Sequence, residues 1–233
     1  LAAALQDYGR AVIVGSNSTF GKGTVQRFID LDRTLRGFEN VKPLGQVKLT
    51  TQKFYRIDGG STQLKGVTPD IVLPDNYAYI QTGEKEEENA MPWTEIAAVD
   101  YNQDVLQLTH LEQIAARSKA RVNTSDVFGK VQSNAARMQK LRELTAYPLS
   151  LADYQALEKA READAERYEN LFDEVVNPSA RNLQVDLAAI EGDESKKARN
   201  DDFLKSVSKD SYIREVLSII HDIIELEGVA IND

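Results

Sequence analysis

The sequence predicts an α+β fold, because strand signals fill its first part and helical periodicity fills the rest. Up to about residue 82, short apolar or alternating runs are separated by glycine and proline, as is typical of strands joined by turns. From about residue 99, apolar side chains recur at steps of three and four, which indicates amphipathic helices. We therefore predict a strand-containing domain over 1–82, a charged linker over 83–98 and an all-α domain over 99–233.

The first domain opens with the end of a helix, over Leu1–Tyr8, which Gly9 terminates. Three strand signals follow, two of them apolar runs and one an alternating run rich in β-forming residues. These segments are Ala11–Val14, which we expect to be a buried strand, Gly45–Tyr55 and Ile71–Leu73. Before the last of them, Asp58-Gly-Gly60 predicts a tight turn, because glycine adopts positive φ without a steric penalty.

The second domain contains four predicted helices with recognisable boundaries. They begin near Val99, at Asp126, after Ser150 and at Ser211, and the last three reach about Leu144, Val176 and Leu226. Val105 starts the regular spacing of the first helix. Ser125 or Thr124 is the predicted cap of the second, and Asp153 stands in the capping-box position of the third.

The last helix carries apolar residues on one face, which is typical of an amphipathic helix. They are Ile213, Val216, Leu217, Ile220 and Ile224. Two polar stretches lie outside the predicted helices, and we expect Gly83–Asn89 to be solvated and Glu191–Asp202 to be a loop.

Composition excludes several classes of function. The 233 residues are 42% hydrophobic and 28% charged, and no apolar run approaches the ~18 residues of a membrane span. The net charge is −9, with 37 acidic against 28 basic residues, which disfavours a nucleic-acid partner. Without cysteine there is no thiolate metal site, disulfide or cysteine nucleophile. The only histidines, His110 and His221, are far apart, which disfavours a histidine triad or a multi-histidine metal site.

A glycine-rich loop carries the clearest chemical signal, with Lys22 between Gly21 and Gly23. A phosphate loop needs Gly, four residues, then Gly-Lys-Ser/Thr, but five residues separate Gly15 from Gly21 and Gly23 replaces the hydroxyl. A lysine whose pKa is lowered by burial can instead take a proton from a serine hydroxyl, and Gln26 could orient it. Spacing alone leaves open an ordinary surface lysine in a glycine loop.

Two longer stretches of sequence, one of which contains this loop, carry a family resemblance. One is Gly9-Arg-Ala-Val-Ile-Val-Gly15 with Thr19-Phe-Gly-Lys-Gly-Thr-Val-Gln26, and the other runs Thr51-Gln-Lys-Phe-Tyr-Arg-Ile-Asp-Gly-Gly-Ser-Thr-Gln63 and Lys65-Gly-Val-Thr-Pro-Asp-Ile71. Both closely resemble the tail-specific (C-terminal processing) proteases, serine-lysine peptidases of the S41 type. The helical half is similar to the C-terminal region of that family. The resemblance implies a partial mixed-sheet protease core followed by an all-α C-terminal domain.

The resemblance also implies roles for particular residues. Lys22 matches the general base, and Gln26 matches the residue that positions it. The nucleophilic serine and the PDZ domain would lie upstream of Leu1, and neither Ser16 nor Ser18 occupies the serine position. We therefore expect this chain to be the C-terminal portion of a serine endopeptidase and to be inactive by itself.

The same resemblance implies the setting of the reaction. The family uses water without a cofactor or metal, cleaves proteins recognised by nonpolar C-termini, and works in the bacterial periplasm or cell envelope. An adaptor protein or a homodimer is a possible further partner. Two alternatives stay open: a non-enzymatic helical interaction module over 99–226, and a nucleotide-binding protein with a phosphate cradle around Gly21–Gly23. Only the protease hypothesis requires Lys22 to lie in a cleft.

Overall fold

The computed structural model describes residues 1–35, 37, 39–101, 107–169, 171–172 and 177–228. Its elements form an α+β fold with a helical C-terminal region, which confirms the predicted fold class. The chain divides into two compact units. The first combines Leu1–Asp70 with Gln81–Gln107, and the second combines Ile71–Ile80 with Leu108–Asp233.

A short helix and an antiparallel ribbon form the regular part of the first unit. Its elements are α1 (Ala2–Asp7), β1 (Val14–Gly15), β2 (Thr24–Asp30), α2 (Leu31–Thr34), a 3₁₀ turn (Glu39–Val41) and β3 (Gln46–Lys53). Helix α1 ends before Gly9, whose φ of +59° confirms the predicted stop. β2 pairs antiparallel with β3, so the predicted strand over Gly45–Tyr55 is confirmed, whereas β2 was not predicted.

The strand predicted over Ala11–Val14 is shorter and less buried than expected. β1 contains only Val14 and Gly15, and the predicted segment is half-buried. Next to β1, the Ile13 amide donates to the side chain of Asp70, at 2.7 Å from Oδ2, across 57 positions of the sequence. This amide is therefore satisfied by a side chain and not by a neighbouring strand.

The β2–β3 ribbon is exposed on both faces. Its exposed apolar side chains are Val25, Phe28, Val47 and Leu49. The alternation that predicts β3 therefore reflects the strand pleat and does not mark one buried face.

The charged segment after residue 83 packs along the rest of the first unit. The Trp93 indole N–H donates to the Ser61 carbonyl at 2.8 Å, and the Ile96 amide donates to the Gly59 carbonyl at 2.9 Å. The segment starts with a 3₁₀ turn at Glu84–Glu86. Gly83 and Glu84 are buried, so the prediction that Gly83–Asn89 is solvated is wrong for these two residues and holds for the other five.

Helices dominate the second unit. Its elements are β4 (Ile71–Val72), α3 (Leu111–Thr124), α4 (Asp126–Glu143), α5 (Leu151–Glu166), α6 (Gln184–Glu191), α7 (Glu194–Ser208) and α8 (Ser211–Glu227). Its core includes Ile114, Val131 and Ile219, which are 0%, 0% and 2% exposed. None of the helices in the described ranges has the length and apolar content that crossing a bilayer requires.

Helix boundaries follow local caps where the sequence offers them. The Ser125 hydroxyl accepts from the Phe128 amide at 3.4 Å, which confirms Ser125 as the cap of α4. Thr124 instead donates to a carbonyl of its own helix, that of Ala120. Helix α3 begins only at Leu111, later than the predicted Val99, and Val105 lies outside the described residues.

The structure differs from three of the predictions made for the later helices. Helix α5 ends at Glu166, before the predicted Val176, which lies outside the described residues, and in the described part of the chain the Ser150 side chain makes no cap hydrogen bond. The predicted loop over Glu191–Asp202 is wrong, because α7 occupies most of it. Asp193 starts that helix by accepting hydrogen bonds from two first-turn amides, at 2.9 and 3.1 Å.

The buried side of α8 differs from its apolar face. Leu217 and Ile220 are exposed, while Glu215 and Asp222 are buried. These carboxylates face α3, where Arg121 Nη2 lies 2.8 Å from Glu215 and Arg121 Nη1 lies 2.7 Å from Asp222. The buried side of α8 therefore combines the apolar Ile219 with two carboxylates that pair with α3.

Candidate active site

The Lys22 loop is fixed by a second loop, Ser61–Gly66. The Leu64 amide donates to the Gly21 carbonyl at 2.7 Å, and the Thr62 hydroxyl donates to the Lys22 carbonyl at 3.0 Å. Both loops belong to the two stretches that carry the family resemblance. The structure thus brings together segments that lie about 40 residues apart in the sequence.

Gly23 is required by the close approach of these loops. A Cβ at this position would lie 2.6 Å from Ser61 Oγ and 2.7 Å from the Gln63 amide nitrogen, closer than Cβ atoms are found. The Gly23 amide donates to Gln63 Oε1 at 2.8 Å. An amide that is already bonded in this way does not face a phosphate, which argues against the nucleotide-binding alternative.

Lys22 reaches from this fixed backbone to a carboxylate. Its Nζ lies 3.4 Å from both Oε1 and Oε2 of Glu84, and its side chain is 37% exposed. The Glu84 side chain is only 10% exposed. Sequence reasoning missed Glu84, which lies 62 residues from Lys22 in a stretch whose five other polar residues are solvated.

A buried glutamine connects Glu84 to the Lys22 loop. Gln63 is 1% exposed, and its Nε2 donates to Glu84 Oε1 at 3.2 Å and to the Met91 carbonyl at 3.0 Å. Its Oε1 accepts from Gly23. Both ends of the Gln63 amide are therefore used, and the carboxylate beside Lys22 is held from two sides.

Gln26 lies on β2, away from this network. Its side chain is exposed, and its Nε2 donates to Thr50 Oγ1 at 3.5 Å. No hydrogen bond within the described residues joins Gln26 to Lys22. Its role as the residue that positions Lys22 stays a prediction.

No serine accompanies Lys22 in the described part of the chain. Ser61 is buried, and its hydroxyl accepts from the Gln63 amide at 3.1 Å. Ser16 is half-buried and Ser18 is exposed, and no described hydrogen bond links either of them to the Lys22 amine. Among the described residues, the site holds a lysine, a carboxylate and a buried amide, and no hydroxyl is hydrogen bonded to the lysine amine.

An open polar pocket of about 380 Å³ lies beside the second loop, with Ser61 and Gly66 in its lining. Its two cations are engaged by other side chains. Hydrogen bonds that Arg56 donates to the Asp7 carboxylate hold the pKa of Arg56 above its usual value, and Lys65 Nζ lies 3.6 Å from the centre of the Trp93 ring. Lys22 is not in this lining.

A second group of polar side chains lies on α8 and does not make a metal site. His221, Asp222 and Glu225 bring one ligand atom each within 4.8 Å of one another. Arg117 Nη1, however, lies 3.1 Å from Asp222 Oδ1 and 2.8 Å from Glu225 Oε2. Because this guanidinium already compensates the carboxylates, the group is an ion-pair cluster between α3 and α8.

Comparison with known proteins divides the chain in two. Residues 1–73 match peptidase family S41, and residues 77–225 match the C-terminal domain of tail specific protease. Lys22, Gln26 and Gln63 thus lie in the peptidase match, whereas Glu84 lies in the C-terminal domain match.

Two relatives show the same likeness. The chain is 44% identical over 131 residues to a tail-specific protease of Haemophilus influenzae, covering 49% of this chain and 18% of that protein. It is 46% identical over 81 residues to a carboxy-terminal-processing protease of Bartonella bacilliformis, covering 33% of this chain and 16% of that protein. The chain therefore spans less than a fifth of the length of these relatives.

Proposed function

The chain belongs to the tail-specific protease family, and we propose that it is the C-terminal portion of a serine endopeptidase in which Lys22 is the general base. The observation that carries this proposal is the construction of the Lys22 loop. Its backbone is hydrogen bonded on both sides of Lys22, at the Gly21 carbonyl and at the Lys22 carbonyl, while the Lys22 side chain remains partly exposed. A base must be held in place and also be reachable, and Lys22 meets both conditions.

In the proposed reaction, a serine upstream of this chain supplies the nucleophile. The neutral Lys22 amine takes the proton from the serine Oγ as that oxygen attacks the carbonyl carbon of the scissile bond. The resulting ammonium then gives the proton to the nitrogen of the leaving amine as the peptide C–N bond breaks. Water hydrolyses the acyl-enzyme by the same proton transfers in the second half of the reaction.

Gln26 is the proposed positioning residue on the peptidase side. It follows Lys22 by four residues and is the third residue of strand β2. Its hydrogen bond to Thr50, at 3.5 Å, is at the long limit for such a bond and costs little to exchange. Its amide is therefore available to the Lys22 amine in the assembled protease.

The remaining parts of the proposal concern the whole protein. Its substrates are proteins or peptides with nonpolar C-termini, an adaptor protein or a second copy is a further partner, and it works in the periplasm or cell envelope of a bacterium. It uses neither a metal nor a cofactor. Because no described serine lies beside the amine, this chain alone does not hydrolyse peptide bonds.

The proposal is tested in the longer protease that contains this chain. We expect Lys22→Ala and Lys22→Arg to abolish cleavage of an unfolded substrate while circular dichroism shows an unchanged fold. Lys48→Ala and Lys48→Arg are matched controls, because Lys48 is an exposed lysine on β3, and these variants should cleave normally. A folded Lys22→Ala protease that still cleaves would refute the role of Lys22.

The second candidate function is a protein-interaction role of the helical unit, with Lys22 an ordinary residue. It is favoured by exposed apolar side chains on or beside helices of the second unit. They include Leu183, Val185, Phe203, Leu217 and Ile220. This candidate predicts that the Lys22 variants have no effect on the protein's function, so the same experiment separates the two.

A further inference from the structure

We propose that Glu84 is a positioning residue for the Lys22 amine, and that the C-terminal domain thereby completes the site of the proposed general base. The proposal rests on the proposed function of Lys22. Its starting point is the pair itself, in which both carboxylate oxygens lie 3.4 Å from Nζ. Because the two distances are equal, the amine lies midway between the two carboxylate oxygens and contacts both of them.

Glu84 is an unusual carboxylate because it is nearly buried. A buried carboxylate is strongly disfavoured unless charges and hydrogen bonds compensate it. Lys22 supplies the charge, and the Gln63 amide supplies a hydrogen bond to Oε1. The other acidic residues of this stretch, at 86–88, are exposed and carry no such requirement. The burial of Glu84 therefore follows from its contact with Lys22 and Gln63.

Gln63 links the backbone of the Lys22 loop to the carboxylate with a defined orientation. Its Oε1 accepts from the Gly23 amide, so its Nε2 is the group that points to Glu84 and to the Met91 carbonyl. Exchange of the two ends would place an N–H against the Gly23 N–H and an oxygen against two oxygens. Gln63 thus fixes the position of the Glu84 carboxylate relative to the peptide unit that follows Lys22.

The main chain around Gly83 holds the carboxylate from the other side. The Glu84 amide donates to the Phe20 carbonyl at 2.9 Å, two residues before Lys22. Gly83 has φ of +128°, and a Cβ there would lie 2.5 Å from the Phe20 oxygen. A glycine is therefore needed for Glu84 to reach this position. Residues 83 and 84 lie in the part of the chain that matches the C-terminal domain.

This arrangement gives Glu84 two roles in the proposed reaction. When the amine is neutral, it can donate one N–H to the carboxylate and direct its lone pair towards the serine hydroxyl. After proton transfer, the carboxylate stabilises the ammonium without taking the proton, as the aspartate of a Ser-His-Asp triad does for its histidine. A misplaced catalytic group can lower the rate by about 10²-fold, so the loss of such an anchor is measurable.

The test uses Glu84→Gln in the longer protease, because glutamine keeps the shape and removes the charge. We expect kcat to fall about 10–100-fold with KM within about twofold, since the nearly buried Glu84 side chain leaves little surface for contact with a substrate. Glu86→Gln is the matched control, an exposed glutamate of the same 3₁₀ turn, and its kcat should stay within about twofold of the parent. Equal kcat values for the Glu84 and Glu86 variants would overturn the proposal.

Failure of this proposal is distinguishable from failure of the proposed function. If Lys22→Ala abolishes cleavage while a folded Glu84→Gln protease retains its kcat, only the role of Glu84 is wrong. If Lys22→Ala retains cleavage, the proposed function itself is wrong. Should Glu84→Gln fail to fold, Glu84→Asp replaces it, keeping the charge but shortening the side chain by one methylene. A lowered kcat at unchanged KM then supports the proposal, and an unchanged kcat overturns it.

A measurement that needs no activity completes the test. Urea unfolding is compared for the parent, Lys22→Ala, Glu84→Gln and the double variant. If the two side chains hold each other, Glu84→Gln lowers the midpoint less in the Lys22→Ala background than in the parent. Additive shifts would show that the pair does not exist in solution and would overturn the proposal.

Discussion

Gly23→Ala is the substitution whose effect follows most directly from the structure. The added methyl group would lie 2.6 Å from Ser61 Oγ, 2.7 Å from the Gln63 amide nitrogen and 2.9 Å from Gln63 Cβ. All three atoms belong to buried residues, and one of them is a backbone nitrogen, so a rotamer change cannot relieve the contact. The two loops must therefore separate.

Two contributions lower the free energy of unfolding in Gly23→Ala. Overpacking at a tightly packed site costs about 1–3 kcal/mol. Separation also weakens the hydrogen bond from the Gly23 amide to the buried Gln63 Oε1, which adds about 1 kcal/mol. We expect the free energy of unfolding of the first unit to fall by about 2–4 kcal/mol. With a urea m value of about 2 kcal/mol/M, the unfolding midpoint moves down by about 1–2 M.

The assay uses the fluorescence of Trp93, the single tryptophan of the chain. Its indole donates to the Ser61 carbonyl, so its emission reports on the same pair of loops. Gly129→Ala is the matched control, because Gly129 lies exposed in α4 and the added Cβ would point into open space. That variant should stabilise the helical unit by about 0.5–1 kcal/mol and leave the Trp93 transition unchanged.

The result that would refute this reasoning is an unchanged Trp93 transition in Gly23→Ala. Such a result would mean that the two loops are not packed together in solution. The same variant of the longer protease should lose activity, because the displaced loop carries Lys22.

Two further predictions concern the second unit. Glu215→Ala should lower the stability of the second unit by about 1.5–3 kcal/mol in urea unfolding followed by circular dichroism, because Arg121 and the buried Ser118 hydroxyl lose the carboxylate that they bond. The exposed Glu225→Ala should cost much less, and equal effects would contradict the ion-pair argument. Hydrogen bonds lower the pKa of the Glu227 carboxyl below its usual 4.5, and the largest effect comes from the backbone amide of His110. The stability that this carboxylate contributes is therefore complete above pH 4.5 and is lost as the pH falls through the lowered pKa. The melting temperature of Glu227→Gln should therefore depend less on acidification than that of the parent, and parallel pH curves would contradict this.

Local signals predicted the elements whose boundaries are set by neighbouring residues. Gly9 ends α1 and Ser125 caps α4, because these effects act within a few residues of the chain. The tight turn at Asp58-Gly-Gly60 also follows the sequence, with Gly59 at φ of +86°. Asp193 is a helix cap of the same kind, but helix α7 was not predicted because the stretch after Asp193 is rich in charged residues.

The candidate site was predictable only in part. Lys22 and its flanking glycines stand out in the sequence because they form a compact motif, and the family resemblance supplies their meaning. Glu84 could not be found in this way, since it is one of four glutamates in a charged stretch and its neighbours are solvated. Only its contact with Lys22 distinguishes it.

The sequence by itself determined the α+β class, the positions of most helices, the lysine loop and the family. Each of these depends on periodicity, capping or a contiguous motif, which are properties of neighbouring residues. The tertiary structure decided which glutamate meets Lys22, why Gly23 has no side chain, and which side of α8 is buried. These depend on contacts between residues 40 to 105 positions apart, where burial of a charge is favourable only if the fold brings its partner to it.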